Sequence, residues 1–176
     1  MKAKIILIVG ASGVGKDSLL NASNEHFSNK INIIKRYITR EADRNEDNVF
    51  LEKEEFENLR EKNFFISSWQ AHSHHYGIAQ DSIKEGINVI SISRSKIIDF
   101  ERRYTDVSCI HVFLRRDELE KRLRLRKREN EEAIQKRLNI IKPKIKAKNL
   151  IPFNNAEVFT KSSIKFIALL TSIIKD

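Results

Sequence analysis

Cysteine is almost missing from this chain of 176 residues. The single Cys109 excludes an internal disulfide, and its place in the apolar run 107–114 predicts a buried core thiol rather than a catalytic one. No apolar stretch approaches the roughly 20 residues that a membrane-spanning helix requires. Met1-Lys2-Ala3-Lys4 leads directly into the first apolar run with no room for a secretory signal, so a cytoplasmic protein without membrane attachment is expected. Internal repeats and low-complexity tracts are absent, and so is any plausible Ser-His-Asp or Cys-His set. His72, His74 and His75 lie close together, but alternation in an extended segment leaves at most His72 and His74 on one side. With no cysteine or paired acids beside them, a structural zinc site is not expected.

What the chain does have is a glycine-rich loop in a telling place. The apolar run Ile5-Ile6-Leu7-Ile8-Val9 precedes Gly10-Ala11-Ser12-Gly13-Val14-Gly15-Lys16-Asp17, and Ser18-Leu19-Leu20 continues as helix. Strand, loop and helix in that order, with the spacing G-x4-G-K, is the setting of a phosphate-binding P-loop. The glycines let successive N–H groups turn inward around an anion, the helix adds the positive end of its dipole, and Lys16 reaches the terminal phosphates. Residues 10–18 are therefore the expected nucleotide site. The Ser/Thr that usually follows the lysine and ligates Mg²⁺ is Asp17 here. A carboxylate can also serve a hard cation, with Ser18 as the alternative ligand and helix capping as the non-functional account of Asp17.

Lysine and arginine number 33 against 24 acids, a net charge of +9. Eight of the basic residues fall in 115–128, where they face only three acids. Several arginines on one helical segment downstream of a P-loop suit the phosphates of a small substrate. Lys142, Lys144, Lys146 and Lys148 read instead as a solvated face. RNA binding is disfavoured because no exposed aromatics interleave with the basic residues to stack bases.

At this length one compact domain is expected. The pattern predicts strands at 4–9, 31–40, 49–51, 64–70, 75–79, 87–93, 107–114 and 151–155. Helices are predicted at 17–25, 54–62, 95–103 and 117–127, at 131–148 with an interruption near Pro143, and at 156–175. The last helix is expected to contribute Val158, Ile164, Ile167, Ala168 and 170–174 to the core. Alternating strands and helices imply an α/β fold with a parallel sheet covered on both faces and the ligand at the carboxyl ends of its strands. The middle block of short strands and one helix reads as a small insert.

Several separated stretches together resemble the guanylate kinase superfamily of P-loop kinases, and within it the ribose 1,5-bisphosphate phosphokinases. They are 10–20 (GASGVGKDSLL), 37–40 (YITR), 68–78 (SWQAHSHHYGI), Ser93-Arg94, 122–130 (RLRLRKREN) with Arg137-Leu138, and Phe153-Asn154-Asn155. The resemblance covers nearly the whole chain. It implies a three-layer P-loop kinase fold with core 1–36 and 86–176, an acceptor-binding insert at about 37–85 and a helical lid at about 122–137. It also implies ATP and Mg²⁺ as cofactors, a phosphorylated sugar as acceptor, and no nucleic-acid partner; the oligomeric state is left open.

Site roles follow from the same resemblance. Lys16, Arg40, Arg126 and Arg137 are implied as catalytic, with Arg40 clamping the acceptor phosphate and the other two arginines closing over the donor. Arg40, Tyr76, Arg94 and Arg128 are implied as acceptor contacts, together with an acid that is either Glu46 or Asp47. For the metal, the loop's own chemistry leaves Asp17 as the candidate ligand with Ser18 as the alternative. Guanylate kinases carry glutamate where this chain has Ser67, serines where it has Ile34 and Arg36, and aspartate at Ser93-Arg94. Base-reading groups are thus replaced by positive charge, which implies 1-phosphorylation of ribose 1,5-bisphosphate to 5-phospho-α-D-ribose 1-diphosphate, as in phosphonate breakdown, rather than conversion of GMP to GDP. A non-catalytic binding module of the same fold is a poorer match, since it would need neither Lys16 nor the lid arginines.

Overall fold

The computed structural model describes residues 2–41, 47–126, 130–140 and 144–175. Its central strand β1 (Ala3–Val9) is fully buried from Ile5 through Val9. Side chains alternate across a strand, so Ile6 and Ile8 enter one core cluster while Ile5, Leu7 and Val9 enter another. A strand covered on both faces needs no polar alternation, which is why this one reads as an unbroken apolar run.

Following β1 come α1 (Lys16–Phe27), β2 (Asn32–Ile34), β3 (Tyr37–Ile38), β4 (Val49–Phe50), α2 (Lys53–Glu61), β5 (Phe65–Ala71) and β6 (His74–Ala79). The second half holds β7 (Gly86–Ser91), α3 (Ile97–Glu101), β8 (Val107–Phe113), α4 (Arg116–Leu125), α5 (Glu131–Asn139), β9 (Leu150–Asn154) and α6 (Phe159–Lys175). Five strands form a wholly parallel sheet in the order β2-β7-β1-β8-β9. Residues of α1, α4, α5 and α6 cover the Ile6/Ile8 face, while α3 and residues of β5 and β6 cover the other. The fold is α/β, with helices on both sides of the sheet. A second sheet, β4-β3-β6-β5, is built on the antiparallel β5–β6 hairpin.

Three details differ from the sequence pattern. Residues 31–40 are two strands, because the chain changes partners: Ile34 pairs with Ile90 in the central sheet and Tyr37 with Gly77 in the second. The helix beginning at Glu131 stops at Asn139 instead of running to 148; Ile140 turns extended and 144–147 have no regular structure. In α6 the buried face is Ser162, Phe166, Leu170 and Ile173, spaced three or four apart, whereas Ile164 is 64% exposed and Val158, just before the helix, 67%.

Candidate active site

The loop joining β1 to α1 is shaped from behind. Gly13 and Gly15 have φ of 95° and 92°, in the left-handed region. A Cβ on Gly15 would also stand 2.7 Å from Asn155 Nδ2, which itself donates to the Val14 carbonyl at 2.7 Å. Arg122 adds bonds to the carbonyls of Val14 and Asn155. Its side chain therefore staples the loop to the end of β9 and is not an open lid cation. Burial, followed by the positive charge of Arg126, lowers the pKa of Arg122, and Glu118 opposes that shift. Val14 turns into the core at 1% exposure. Gly15 caps α1 with no side-chain bond, so Asp17 is not the helix cap.

In front of the loop lies a cavity of about 570 Å³. Gly10, Ala11, Ser12, Gly13, Gly15, Lys16, Asp17 and Ser18 form its floor, under the carboxyl ends of β1 and β7. Lys16 Nζ donates to the carbonyls of Gly10 and Ala11, both at 3.0 Å, which keeps the ammonium within the loop. Asp17 Oδ1 accepts from Arg36 Nη2 at 2.9 Å.

The second sheet supplies another wall. The Thr39 amide donates to the His75 carbonyl at 3.1 Å, and the His75 amide donates to Thr39 Oγ1 at 2.9 Å. This double link fixes the chain just before Arg40, which lines the cavity. Trp69 and Tyr76 lie parallel at 5.4 Å, with 6° between their rings, and both also line it. The histidines are not in one extended run: His72 and Ser73, with φ of 50° and 65°, make the tight turn between β5 and β6. His74 Nδ1 lies 3.2 Å from the Thr39 carbonyl, and His75 Nδ1 3.3 Å from Glu57 Oε1.

Arg94, just beyond β7, lines the cavity with its pKa lowered by burial. From the helical side come Arg126 at the end of α4 and Arg137 on α5, whose Nη1 donates to Ser12 Oγ at 2.9 Å. The cationic lining is thus Lys16, Arg36, Arg40, Arg94, Arg126 and Arg137, and the one carboxylate among the described lining residues is Asp17. Asp47 is elsewhere, at the surface, 2.8 Å from Lys35. Glu46 and Arg128 lie outside the described residues. Ser67 does not line the cavity either; buried, it donates to Asp99 Oδ2 at 2.7 Å beside α3.

Trp69 and Ser91 also line this site and had no assigned role, and Arg36, noted above only as a charge in place of a guanylate kinase serine, lines it as well. For Arg36 the signal in the sequence was the charged pair Lys35-Arg36 inside an otherwise apolar, strand-like run. Its direction into the cavity depends on the partner switch between the two sheets.

The guanylate kinase family profile matches residues 2–156. The chain belongs to that family. Ribose 1,5-bisphosphate phosphokinases are among the relatives of this guanylate kinase family member. The Yersinia pestis protein is 37% identical over 142 residues, spanning 77% of this chain and 74% of its own. The Burkholderia mallei protein is 31% identical over 140 residues, 77% and 76%. Among solved structures, a guanylate kinase from Anaplasma phagocytophilum superposes with a TM-score of 0.66 at 17% identity, covering 99% of this chain and 88% of that one. A gluconokinase from Sinorhizobium meliloti gives 0.57 at 13% identity, with 98% and 94% covered. These two likenesses establish the fold, and the family establishes the chemistry: the protein is an ATP-dependent phosphotransferase acting on a small molecule. Among the described residues no helix is long and apolar enough to cross a membrane.

Proposed function

We propose that this kinase transfers the γ-phosphoryl group of ATP to the 1-phosphate of ribose 1,5-bisphosphate, releasing ADP and 5-phospho-α-D-ribose 1-diphosphate, as a step in phosphonate breakdown. The observation that carries the reading is the charge of the cavity: six cationic side chains against one carboxylate among its described lining residues. An acceptor with two phosphates suits that excess, whereas a guanine edge calls for hydrogen-bond acceptors such as the carboxylates that guanylate kinases carry. The names of the curated relatives point the same way.

The accepting oxygen belongs to a phosphate already ionised at neutral pH, so no general base is required. It attacks the γ-phosphorus, the bond to the β-phosphate oxygen breaks, and that oxygen leaves with ADP. Catalysis is then positioning and charge neutralisation. In this reading the amides of residues 10–16 cradle the donor phosphates, and Lys16 stabilises charge on the transferring group. Arg40 grips the accepting phosphate bidentately. Arg126 and Arg137 close from α4 and α5, while Arg94 and Tyr76 line the acceptor side. Asp17 and Ser18 bring oxygen donors of the hard kind that Mg²⁺ takes, with Asp17 keeping one carboxylate oxygen on Arg36. Mg²⁺ bound there would neutralise charge between the β- and γ-phosphates.

The test is product identification by ³¹P NMR after incubation with ATP, Mg²⁺ and either ribose 1,5-bisphosphate or GMP, followed by coupled assays at equal acceptor concentration. The expected result is the diphosphate product and a kcat/KM for the bisphosphate exceeding that for GMP by about 10²-fold or more, because Ser67 and Ser93-Arg94 stand where guanylate kinases carry carboxylates for the base. A higher kcat/KM for GMP would place the chain with the guanylate kinases by activity as well as by fold.

A further inference from the structure

Arg36 is fastened on three sides. Its Nη2 donates to Asp17 Oδ1 at 2.9 Å, its Nε to Asn48 Oδ1 at 3.2 Å and its Nη1 to Ser91 Oγ at 3.4 Å. Those acceptors belong to the first turn of α1, the approach to β4 and the end of β7. A guanidinium has five N–H groups, so two have no acceptor among the described residues. Its side chain is only 13% exposed, yet it lines a cavity that already holds Arg40 and Arg94.

A half-sequestered cation among like charges is unfavourable by itself, and Asp17, standing where a P-loop usually has Ser or Thr, offsets it. The arrangement yields a fork whose orientation is set before any ligand arrives, so little side-chain freedom remains to be lost on binding an anion. Arg36 and Arg40 flank β3, and the four residue steps between them hold their Cα atoms within about 14 Å of each other. Two forks so placed on one wall suit two anionic groups on one small molecule better than a single shared phosphate.

We propose that Arg36, oriented by Asp17, is a specificity-determining residue that engages the non-reacting phosphate of a doubly phosphorylated acceptor, leaving Arg40 to the accepting phosphate. The inference rests on the acceptor reading above. It converts a departure from the usual P-loop sequence into an acceptor-selecting pair: the loop residue that would ordinarily serve the metal alone also holds the arginine of the facing wall.

The test compares ribose 1,5-bisphosphate with ribose 1-phosphate, which present the same accepting group and differ by the second phosphate. In the wild-type enzyme the ratio of their kcat/KM values should favour the bisphosphate by about 10²-fold, the scale of a charge-assisted bidentate contact. Arg36→Gln should reduce that ratio by about tenfold or more through a raised KM for the bisphosphate, whatever common loss both acceptors share through the freed Asp17. Arg36→Lys, which keeps the charge without the fork, should fall between, and it carries the test if the glutamine variant does not fold. A merely structural role would depress both acceptors alike, so an unchanged ratio in the variants overturns the proposal while the acceptor reading stands. No product from the bisphosphate with wild-type enzyme overturns the acceptor reading, and this inference with it.

Discussion

Lys16 shows how one side chain depends on several neighbours. Its ammonium lies on the carbonyls of Gly10 and Ala11, and the loop that presents it is held from behind by Asn155 and Arg122. Removing the amine should leave those supports in place, because neither donates to it. Lys16→Ala is therefore expected to lower kcat by about 10²-fold or more, the usual cost of losing a charge aimed at the transferring phosphoryl group. Its thermal midpoint should stay within a few degrees of wild type. Steady-state kinetics beside a melting curve checks both halves, and near-normal turnover in the folded variant would remove Lys16 from the proposed mechanism. The same scale shows where residue-level reading of the sequence stops. Gly15 is legible as a glycine that a P-loop requires, but the side chain that would collide with a larger residue there is Asn155, 140 positions away in the chain.

Among the elements, α4 and α5 carry the basic residues that reach over the loop, and an ion-pair link joins them. Arg124 Nε and Nη2 bond both carboxylate oxygens of Glu131 at 3.1 and 2.7 Å, and Arg124 also pairs with Glu120 at 2.8 Å. The bonds from Arg124 and then from Gln135 bring the pKa of Glu131 down to about 2 from an ordinary 4.5. A depressed carboxylate pKa means that the link contributes fully above about pH 4.5 and is lost as pH falls towards 2, so it is intact throughout the neutral range. The nine residues of α5 are too few to be stable as an isolated helix and depend on such contacts. Arg124→Ala should accordingly speed amide exchange across α5 and raise KM for ATP a few-fold, with little change in the global melting temperature. Hydrogen exchange read by mass spectrometry decides this, and unaltered protection of α5 would show that the link does not hold the helix.

For the molecule as a whole, Cys109 reports on the central sheet. It lies on β8 at 1% exposure, and burial, reinforced by Glu101, pushes its thiol pKa up to about 12 from 9.0. Because the raised value belongs to the folded state, the protonated thiol favours folding fully below about pH 9, and that contribution fades as pH rises towards 12. Alkylation of the native protein at pH 8 should therefore be slow and should follow the denaturant dependence of global unfolding. Rapid labelling in the absence of denaturant would contradict the burial. The reach of the sequence itself follows from range: the P-loop, the buried strand 5–9 and the alternation of helices and strands depend on neighbours within about ten residues, so composition and periodicity determined them. The family motifs likewise named the cavity-lining Lys16, Arg40, Tyr76, Arg94, Arg126 and Arg137. Only tertiary structure decided that 31–40 divides between two sheets, that Phe166 and not Ile164 enters the core, and that Arg122 staples the loop while Arg36 faces Asp17. Each of those outcomes is set by a partner distant in the chain. A local pattern specifies which residues are apolar or charged, but the direction of a side chain depends on the surface that comes to meet it.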